Sequence, residues 1–375
     1  MIELKEKKDC CGCSACVAIC PVDCITMKED SEGFLYPVTD STKCLECGLC
    51  TKVCPVINPG PVRRPEECCA ARTEDPARLE ECASGGAFQV IADRILEGGG
   101  AVFGCRFDGN HEAVHDMAED AEGIAAFTGS KYIQSRMEDN FRRVRQILKT
   151  GRKVLFTGTP CQVAGLNAFL RRPYDNLLTV DLICHGVPSP GVWRQYIAEE
   201  TEYREKEGCG KTAIGDIRFR DKRNAGWKGY NFTIAFSATD GNSRREILLS
   251  EKGKAENLFI RGFLANFYSR PSCYHCPARE FRSGSDITIG DFWGIEKFMH
   301  GFDDNRGVSA VMVNTRKGKE MWDSVKAVKT PAEYWQILDY NKCLEQSVPE
   351  NGTRNKFFTE GPEDIHTRIR EFLKN

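Results

Sequence analysis

Past residue 66 the hydrophobic pattern alternates between two periods. Runs such as Lys153-Val154-Leu155-Phe156-Thr157 and Leu177-Leu178-Thr179-Val180-Asp181-Leu182-Ile183 have the length and composition of buried strands, and Val163 to Leu170 between them reads as a helix. Upstream, Phe88 to Leu96 is amphipathic and stops at Gly98-Gly99-Gly100. Downstream, Asp286-Ile287-Thr288-Ile289 is a further strand-like run. Strands alternating with helices predict an α/β body with a mixed, partly parallel sheet. Neighbouring parallel strands run the same way, so Cys161 and Cys184, each following one, are expected at the carboxyl edge of the sheet, where ligands bind.

The N-terminal residues follow a different pattern. Ile25-Thr26-Met27 and Phe34-Leu35-Tyr36-Pro37-Val38 predict two short strands, but cysteine spacing dominates: ten of the 20 cysteines precede residue 55. Cys10, Cys13, Cys16 and Cys20-Pro21 follow C-x2-C-x2-C-x3-C-P, and Cys44, Cys47, Cys50 and Cys54-Pro55 repeat it 34 residues later. Two-residue spacers wrap three thiolates around one cubane, and the proline turns the chain so that the fourth cysteine serves the other cluster. The expected ligand sets are Cys10, Cys13, Cys16 with Cys54, and Cys44, Cys47, Cys50 with Cys20. Paired structural zinc knuckles would ask for C-x2-C pairs separated by longer loops, without the third cysteine. Cys11 and Cys24 fall outside the pattern and read as packing residues beside the clusters. The predicted organisation is an α+β ferredoxin-like dicluster module at 1–58, a linker at 59–66 that overlaps the Pro-rich stretch Asn58 to Pro65, a first part of the body at 67–148 and a second at 149–375.

Composition narrows the setting. The chain has 375 residues, 28% of them charged and 41% hydrophobic, with a net charge of -2, which offers no footprint for nucleic acid. The start of the chain has no apolar h-region, and no stretch supplies the roughly 20 apolar residues of a membrane span. A cytoplasmic protein is expected, and in a reducing compartment crowded cysteines point to metal rather than disulfides.

Several groups in the body carry candidate chemistry. Cys161, Cys184 and the C-x2-C at Cys273 and Cys276 supply four thiols, enough for a third 4Fe-4S cluster; a zinc site and unrelated buried thiols are the alternatives. Ser84-Gly85-Gly86-Ala87 opens a helix whose backbone N–H groups could hold a pyrophosphate, or is only a serine cap followed by small residues. Gly129-Ser130-Lys131-Tyr132-Ile133-Gln134-Ser135 offers a cation, a ring and hydrogen-bond donors to a flavin or nucleotide, or is a solvated loop. Arg218, Arg220, Lys222 and Arg223, followed by Trp227, Lys228 and Tyr230, suggest a lid or a face for an acidic partner. Cys68, Cys69, Cys82, Cys105, Cys209 and Cys343 read as small buried residues, and His185 as a neighbour of the third site.

Together these residues resemble the coenzyme F-420 hydrogenase/dehydrogenase beta subunit family, with a dicluster ferredoxin fused in front. The resemblance spans nearly the whole chain. It rests on Ser84-Gly85-Gly86, Gly129 to Ser135, Gly158-Thr159-Pro160-Cys161-Gln162, Cys184-His185-Gly186, the C-x2-C at Cys273 and Ile289-Gly290-Asp291-Phe292-Trp293-Gly294. It implies FAD in the body, with cofactor contacts at Ser84, Gly85, Gly86, Ala87, Ser130, Lys131, Tyr132, Gln134, Ser135, Gly158 and Thr159, and a cubane nearby on the scattered cysteines. The fused module and the Trp227-Lys228-Gly229-Tyr230 stretch are similar to a bacterial branch, where the family name does not give the substrate.

Clusters move single electrons and a flavin can move a hydride, so a protein with both is expected to convert one currency into the other. The expected partners are a ferredoxin or another redox protein and a small hydride donor or acceptor, a deazaflavin among them. Lys131, Tyr132 and Asp291 are the candidate proton donors. A homo-oligomer, or an electron-relay subunit of a hydrogenase or formate dehydrogenase with no small-molecule activity of its own, is the rival expectation.

Overall fold

The computed structural model describes residues 1–240 and 243–374. In the N-terminal region β1 (Ile25–Glu29) and β2 (Leu35–Thr39) pair antiparallel, Ile25 opposite Thr39. Two short helices, Ala15–Ile19 and Leu49–Lys52, start inside the cysteine runs, each behind a left-handed residue, Ser14 (φ 63) and Gly48 (φ 69). These sharp entries fold the runs back on themselves, and Cys13, Cys16, Cys20, Cys50 and Cys54 are buried.

The body contains β3 (Glu67–Arg72), β4 (Ala101–Phe107), β5 (Ala113–Ala118), β6 (Val154–Gly158), β7 (Leu177–Leu182), β8 (Lys211–Asp221), β9 (Asn231–Asp240), β10 (Ser243–Lys252), β11 (Ile287–Asp291), β12 (Ser309–Val313) and β13 (Val328–Ala332). Eight of them form one sheet in the order β13-β3-β12-β11-β7-β6-β4-β5. The four central strands β11, β7, β6 and β4 are parallel, and the flanking pairs are antiparallel. Central strands are covered on both faces, which is why their sequences are near-continuous apolar runs: all five residues of β6 and of β12 are buried. The fold is an N-terminal ferredoxin-like region followed by an α/β body with a mixed, partly parallel sheet.

The strands β8, β9 and β10 form a separate antiparallel sheet. With the helices Pro190–Arg204 and Leu258–Leu264 it encloses an aromatic core of Trp193, Tyr196, Phe219, Phe232 and Phe259. The basic stretch runs along the end of β8 and is neither a lid nor an open face. Arg220 and Lys222 are buried, Arg218 pairs with Asp216 and Glu81, and Arg223 pairs with Asp221. Nor does the Pro-rich segment act as a free spacer. Its amide groups need partners, and Arg63 N donates to Glu280 O at 3.0 Å, Glu66 N to Val313 O at 2.7 Å, while Arg282 donates to Gly60 O at 3.1 Å.

Arginines of the body fasten the N-terminal module through its carbonyls and carboxylates. Arg142 Nε donates to Ala18 O at 2.9 Å, Arg194 pairs with Glu29, and Arg354 makes a two-pronged contact with Glu32 at 2.6 and 3.2 Å. Gly33 and Gly191 meet backbone to backbone, since a Cβ on Gly33 would stand 2.3 Å from Gly191 N. Among the described residues no helix is long and apolar enough to cross a membrane.

Candidate functional site

The parallel strands β6 and β7 lie side by side with Gly158 opposite Asp181, so both end at one edge. At the end of β6, Thr159 caps the helix Pro160–Leu170: Pro160 occupies its first turn, and Thr159 N donates to Gln162 Oε1 at 2.9 Å in a capping box. Cys161 is thereby fixed in the first turn of the helix. Cys184 follows β7, and Asp291 ends β11 on the same edge.

An open cleft runs along this edge. Ser84, Gly86 and Ala87 line it, as do Ser130, Lys131, Tyr132, Ser135, Gly158, Thr159 and Asp291, so segments more than 200 residues apart converge. The 11-residue helix Ala87–Glu97 points its N-terminus into the cleft, behind Gly86 at φ 86. Opposite, Gly129 adopts φ 82 with nothing within 4 Å of where a Cβ would be. A helix N-terminus and one open glycine thus face the cleft, a geometry that fits a phosphate-bearing ligand.

Two of the sequence-derived residues lie elsewhere. Gly85 is wedged into the sheet, where a Cβ would stand 2.2 Å from Ala71 O. Gln134 faces the N-terminal module, donating to Cys11 O at 3.1 Å and accepting from Arg270 at 2.7 Å.

The three candidate proton donors differ in their freedom. Asp291 is committed, since one carboxylate oxygen pairs with the buried Arg220 and the other accepts from Trp227 Nε1 at 2.7 Å. Lys131 Nζ donates only to the carbonyls of Thr128 (3.1 Å) and Gly129 (3.3 Å), and burial pushes its ammonium below the usual lysine range. Tyr132 packs edge-on against Phe219, with centroids 5.4 Å apart.

Sequence reading passed over His115 and took Cys82 and Cys105 for small buried residues, yet all three line the cleft. Burial pushes His115 down to about 4, so the ring is neutral. Its Nε2 faces the carbonyl of Thr157 at 3.0 Å and must donate, leaving Nδ1 to accept from Ser135 Oγ at 2.9 Å. Ser135 Oγ accepts in turn from Gln162 Nε2 at 2.9 Å, and Thr159 Oγ1 lies 3.0 Å from Gln162 Oε1 and 3.2 Å from Cys161 Sγ. A continuous hydrogen-bonded chain thus runs along the cleft to Cys161. Only an isolated histidine in a strand marks this in sequence.

The thiols gather in three groups. Cys20, Cys44, Cys47 and Cys50 line one small pocket together with Cys24, so the fourth cysteine of the first run stands with three of the second. Cys16 is pushed up to about 12 by burial and by its neighbours Cys10 and Cys54. In the body, burial and the charges of Cys273, Cys161 and Cys276 push Cys184 well up, and Cys273 rises to about 12 through burial and Cys276. Mutually repelling thiols of this kind become thiolates only around a cation, so the donor sets fit metal. Arg279 threads this body group, donating to the carbonyls of Cys184, Cys343 and His185. Its place three residues after Cys276 was the available signal. Cys11 lies between groups: hydrogen bonding to Cys11, with burial, raises Cys161, and Cys11 also contacts Cys13. His185 is turned away from the thiols, its Nε2 3.0 Å from Asn266 Oδ1.

Residues 151–332 match the family model for the C terminus of the coenzyme F420 hydrogenase/dehydrogenase beta subunit, and residues 9–58 match the 4Fe-4S dicluster domain. The chain thus carries a 4Fe-4S dicluster domain ahead of a region similar to the C terminus of this beta subunit. A chain of the F420-reducing NiFe hydrogenase complex from Methanosarcina barkeri is similar in structure, at 17% identity and a TM-score of 0.47, over 84% of this chain and 93% of that one. No curated protein matches. The beta-subunit match takes in β6 through β13 with Cys161, Cys184, Cys273, Cys276 and Asp291, whereas Ser84 to Ala87 and Gly129 to Ser135 lie before it.

Proposed function

We propose that this chain is an iron–sulfur flavoprotein oxidoreductase, passing electrons between a one-electron carrier of ferredoxin type and FAD, with a deazaflavin or another small organic molecule as the hydride partner. The observation that carries this reading is the packing of Cys161 against the apolar cluster that holds Cys11 and Cys13, which sets the N-terminal thiols against the helix that begins beside the cleft. In this reading Cys10, Cys13, Cys16 and Cys54 hold an inner cluster, Cys20, Cys44, Cys47 and Cys50 an outer one, and Cys161, Cys184, Cys273 and Cys276 a third. The exposed Cys47 marks the outer cluster as the place where a carrier docks.

FAD, when bound, supplies the exchange between hydride and single-electron chemistry. The chain's own residues position and insulate it. The N-terminus of the helix that follows Gly86 faces the phosphates, and Ser130, Lys131, Tyr132, Ser135, Gly158 and Thr159 line the remainder. The chain from His115 to Thr159 fixes the sheet edge beside Cys161 and leaves no free buried acid there. Both Asp291 oxygens are taken, by Arg220 and Trp227, so any proton is delivered from Lys131 Nζ or the Tyr132 hydroxyl.

Anaerobic purification with quantitation of iron, sulfide, zinc and flavin tests the reading. About twelve irons and one FAD per chain are expected. About eight irons would remove the third cluster, zinc at Cys273 and Cys276 would replace it, and absence of flavin would sink the reading. Turnover of a small substrate with reduced ferredoxin separates this enzyme from a relay subunit active only in a larger complex.

A further inference from the structure

Arg270 is fully buried, with 0% of its surface exposed, at the seam between the N-terminal module and the body. Its Nε donates to Cys10 O at 2.8 Å, Nη1 to Gln134 Oε1 at 2.7 Å, and Nη2 to Leu35 O at 2.9 Å and Cys10 Sγ at 3.5 Å. The guanidinium also lies 4.3 Å from the centre of the Tyr36 ring and 5.3 Å from that of Phe34. All of its oxygen acceptors are neutral. A buried cation without a carboxylate is costly unless some other negative charge faces it. The sulfur of Cys10 is the one partner able to carry that charge, and a cubane on four thiolates is anionic in both of its oxidation states.

The outer group has a different environment. There Cys44 Sγ accepts from Glu46 N at 3.4 Å, Cys20 Sγ from Cys24 N at 3.4 Å, and Cys47 is exposed. Both groups thus have backbone amides on their sulfurs, Gly12 N donating to Cys10 Sγ at 3.4 Å in the inner one; the inner group adds a desolvated full charge whose field water does not screen.

The geometry points to Arg270 as a positioning residue that selectively raises the reduction potential of the inner cluster, so that an electron entering at the outer cluster is held at the seam with the body. This rests on the cluster assignment proposed above. Reduction adds one electron to the cluster, and the fixed positive charge beside Cys10 stabilises the added negative charge without taking up a proton. Gln134 holds the guanidinium from the body side. A Cβ on Gly12 would stand 2.6 Å from Gln134 Nε2 and 2.9 Å from Arg270 Nη1, so glycine at position 12 is what lets the pair reach the cysteine run.

The test is a potentiometric titration of the full chain followed by electron paramagnetic resonance, in wild type, Arg270→Met and Arg270→Lys, with the outer cluster's signal identified by its change in Cys47→Ser. Arg270→Met is expected to shift the inner cluster's one-electron equilibrium at least tenfold toward the oxidised form, about 59 mV. The outer cluster should stay put, and Arg270→Lys should recover part of the shift. An unshifted inner cluster at full iron content, or an equal shift in all clusters, overturns the inference. If Arg270→Met does not assemble, wild-type protein grown on 15N-arginine decides: electron–nuclear double resonance of the reduced inner cluster should show a coupled arginine nitrogen, and its absence overturns the inference. Iron-free wild-type protein would overturn the cluster reading and this inference together, whereas a fully loaded protein with no shift removes this inference alone.

Discussion

At the scale of single residues, the contact between module and body leaves no room for a methyl group. A Cβ on Gly165, in the helix that begins at Pro160, would lie 2.8 Å from Cys13 Sγ and 3.4 Å from Phe141 Cε2. Gly165→Ala is therefore expected to destabilise the protein by about 1–3 kcal/mol through overpacking, read as a lower denaturant midpoint, and Gly165→Val to lose iron from the inner site. Asp291→Asn leaves Arg220 buried, with its side chain 3% exposed, and without its counter-charge; a loss of about 3–5 kcal/mol in unfolding free energy is expected. Trp227→Phe removes one neutral-donor hydrogen bond to the same carboxylate and should cost far less. Legibility at this scale depended on whether chemistry is written as spacing. The C-x2-C-x2-C-x3-C-P runs declare themselves because one cubane needs several thiolates from one short segment. Arg270 and His115 are single residues whose partners lie far away in sequence, so no local pattern could mark them.

At the scale of elements, the parallel strands were readable because burial on both faces turns them into apolar runs. The sheet β8-β9-β10 was not. In Lys211-Thr212-Ala213-Ile214-Gly215-Asp216-Ile217-Arg218 only Ile214 and Ile217 join the aromatic core, the buried Thr212, the exposed Ala213 and a register shift after Ile214 break the alternation, and the arginines along the strand read as an exposed basic face. What could not be foreseen is that Arg220 and Lys222 turn inward. The last helix, Ile365–Lys374, carries a pH-dependent attachment. Its first amides, Ile365 N and His366 N, donate to the Glu199 carboxylate at 2.7 and 3.1 Å, and the His366 ring lies between Glu199 (2.7 Å) and Glu200 (2.8 Å). Burial alone would lower His366, but the two carboxylates raise it above its ordinary 6.5. A raised folded value means that the imidazolium's contribution is fully present below 6.5 and is lost as pH rises through the folded value. The stability difference between wild type and His366→Gln should therefore be largest in mildly acidic buffer and shrink on the alkaline side. A difference that is flat with pH would show that the imidazolium contributes nothing to docking of the helix.

At the scale of the whole molecule, the decisive property is that the module is locked to the body. Electron transfer across a bare spacer would need only the cysteine runs, and the Pro-rich composition of 59–66 suggests such a spacer. Instead the segment is hydrogen-bonded to the body on both sides of its prolines, and the module is gripped from several directions. The strongest grip is Arg354 on Glu32: the side chains are 5% and 11% exposed, and Arg354 Nε also donates to Ser269 O at 3.0 Å. Because this pair is buried, removing one partner strands the other's charge, and Arg354→Met should cost about 3–5 kcal/mol. Where that loss falls tells how the molecule is built. If module and body are one cooperative unit, wild type unfolds in a single calorimetric transition, and Arg354→Met divides it, with the module melting first and a protease gaining access near residues 59–66. The double variant Glu32→Gln with Arg354→Met, which leaves no unpaired charge, should regain part of the lost stability yet still unfold in two steps, because neutralising the pair removes the penalty without restoring the grip. Two transitions already present in wild type would mean that the arginine contacts are too weak to couple the parts, and that Cys11 meets Cys161 only part of the time.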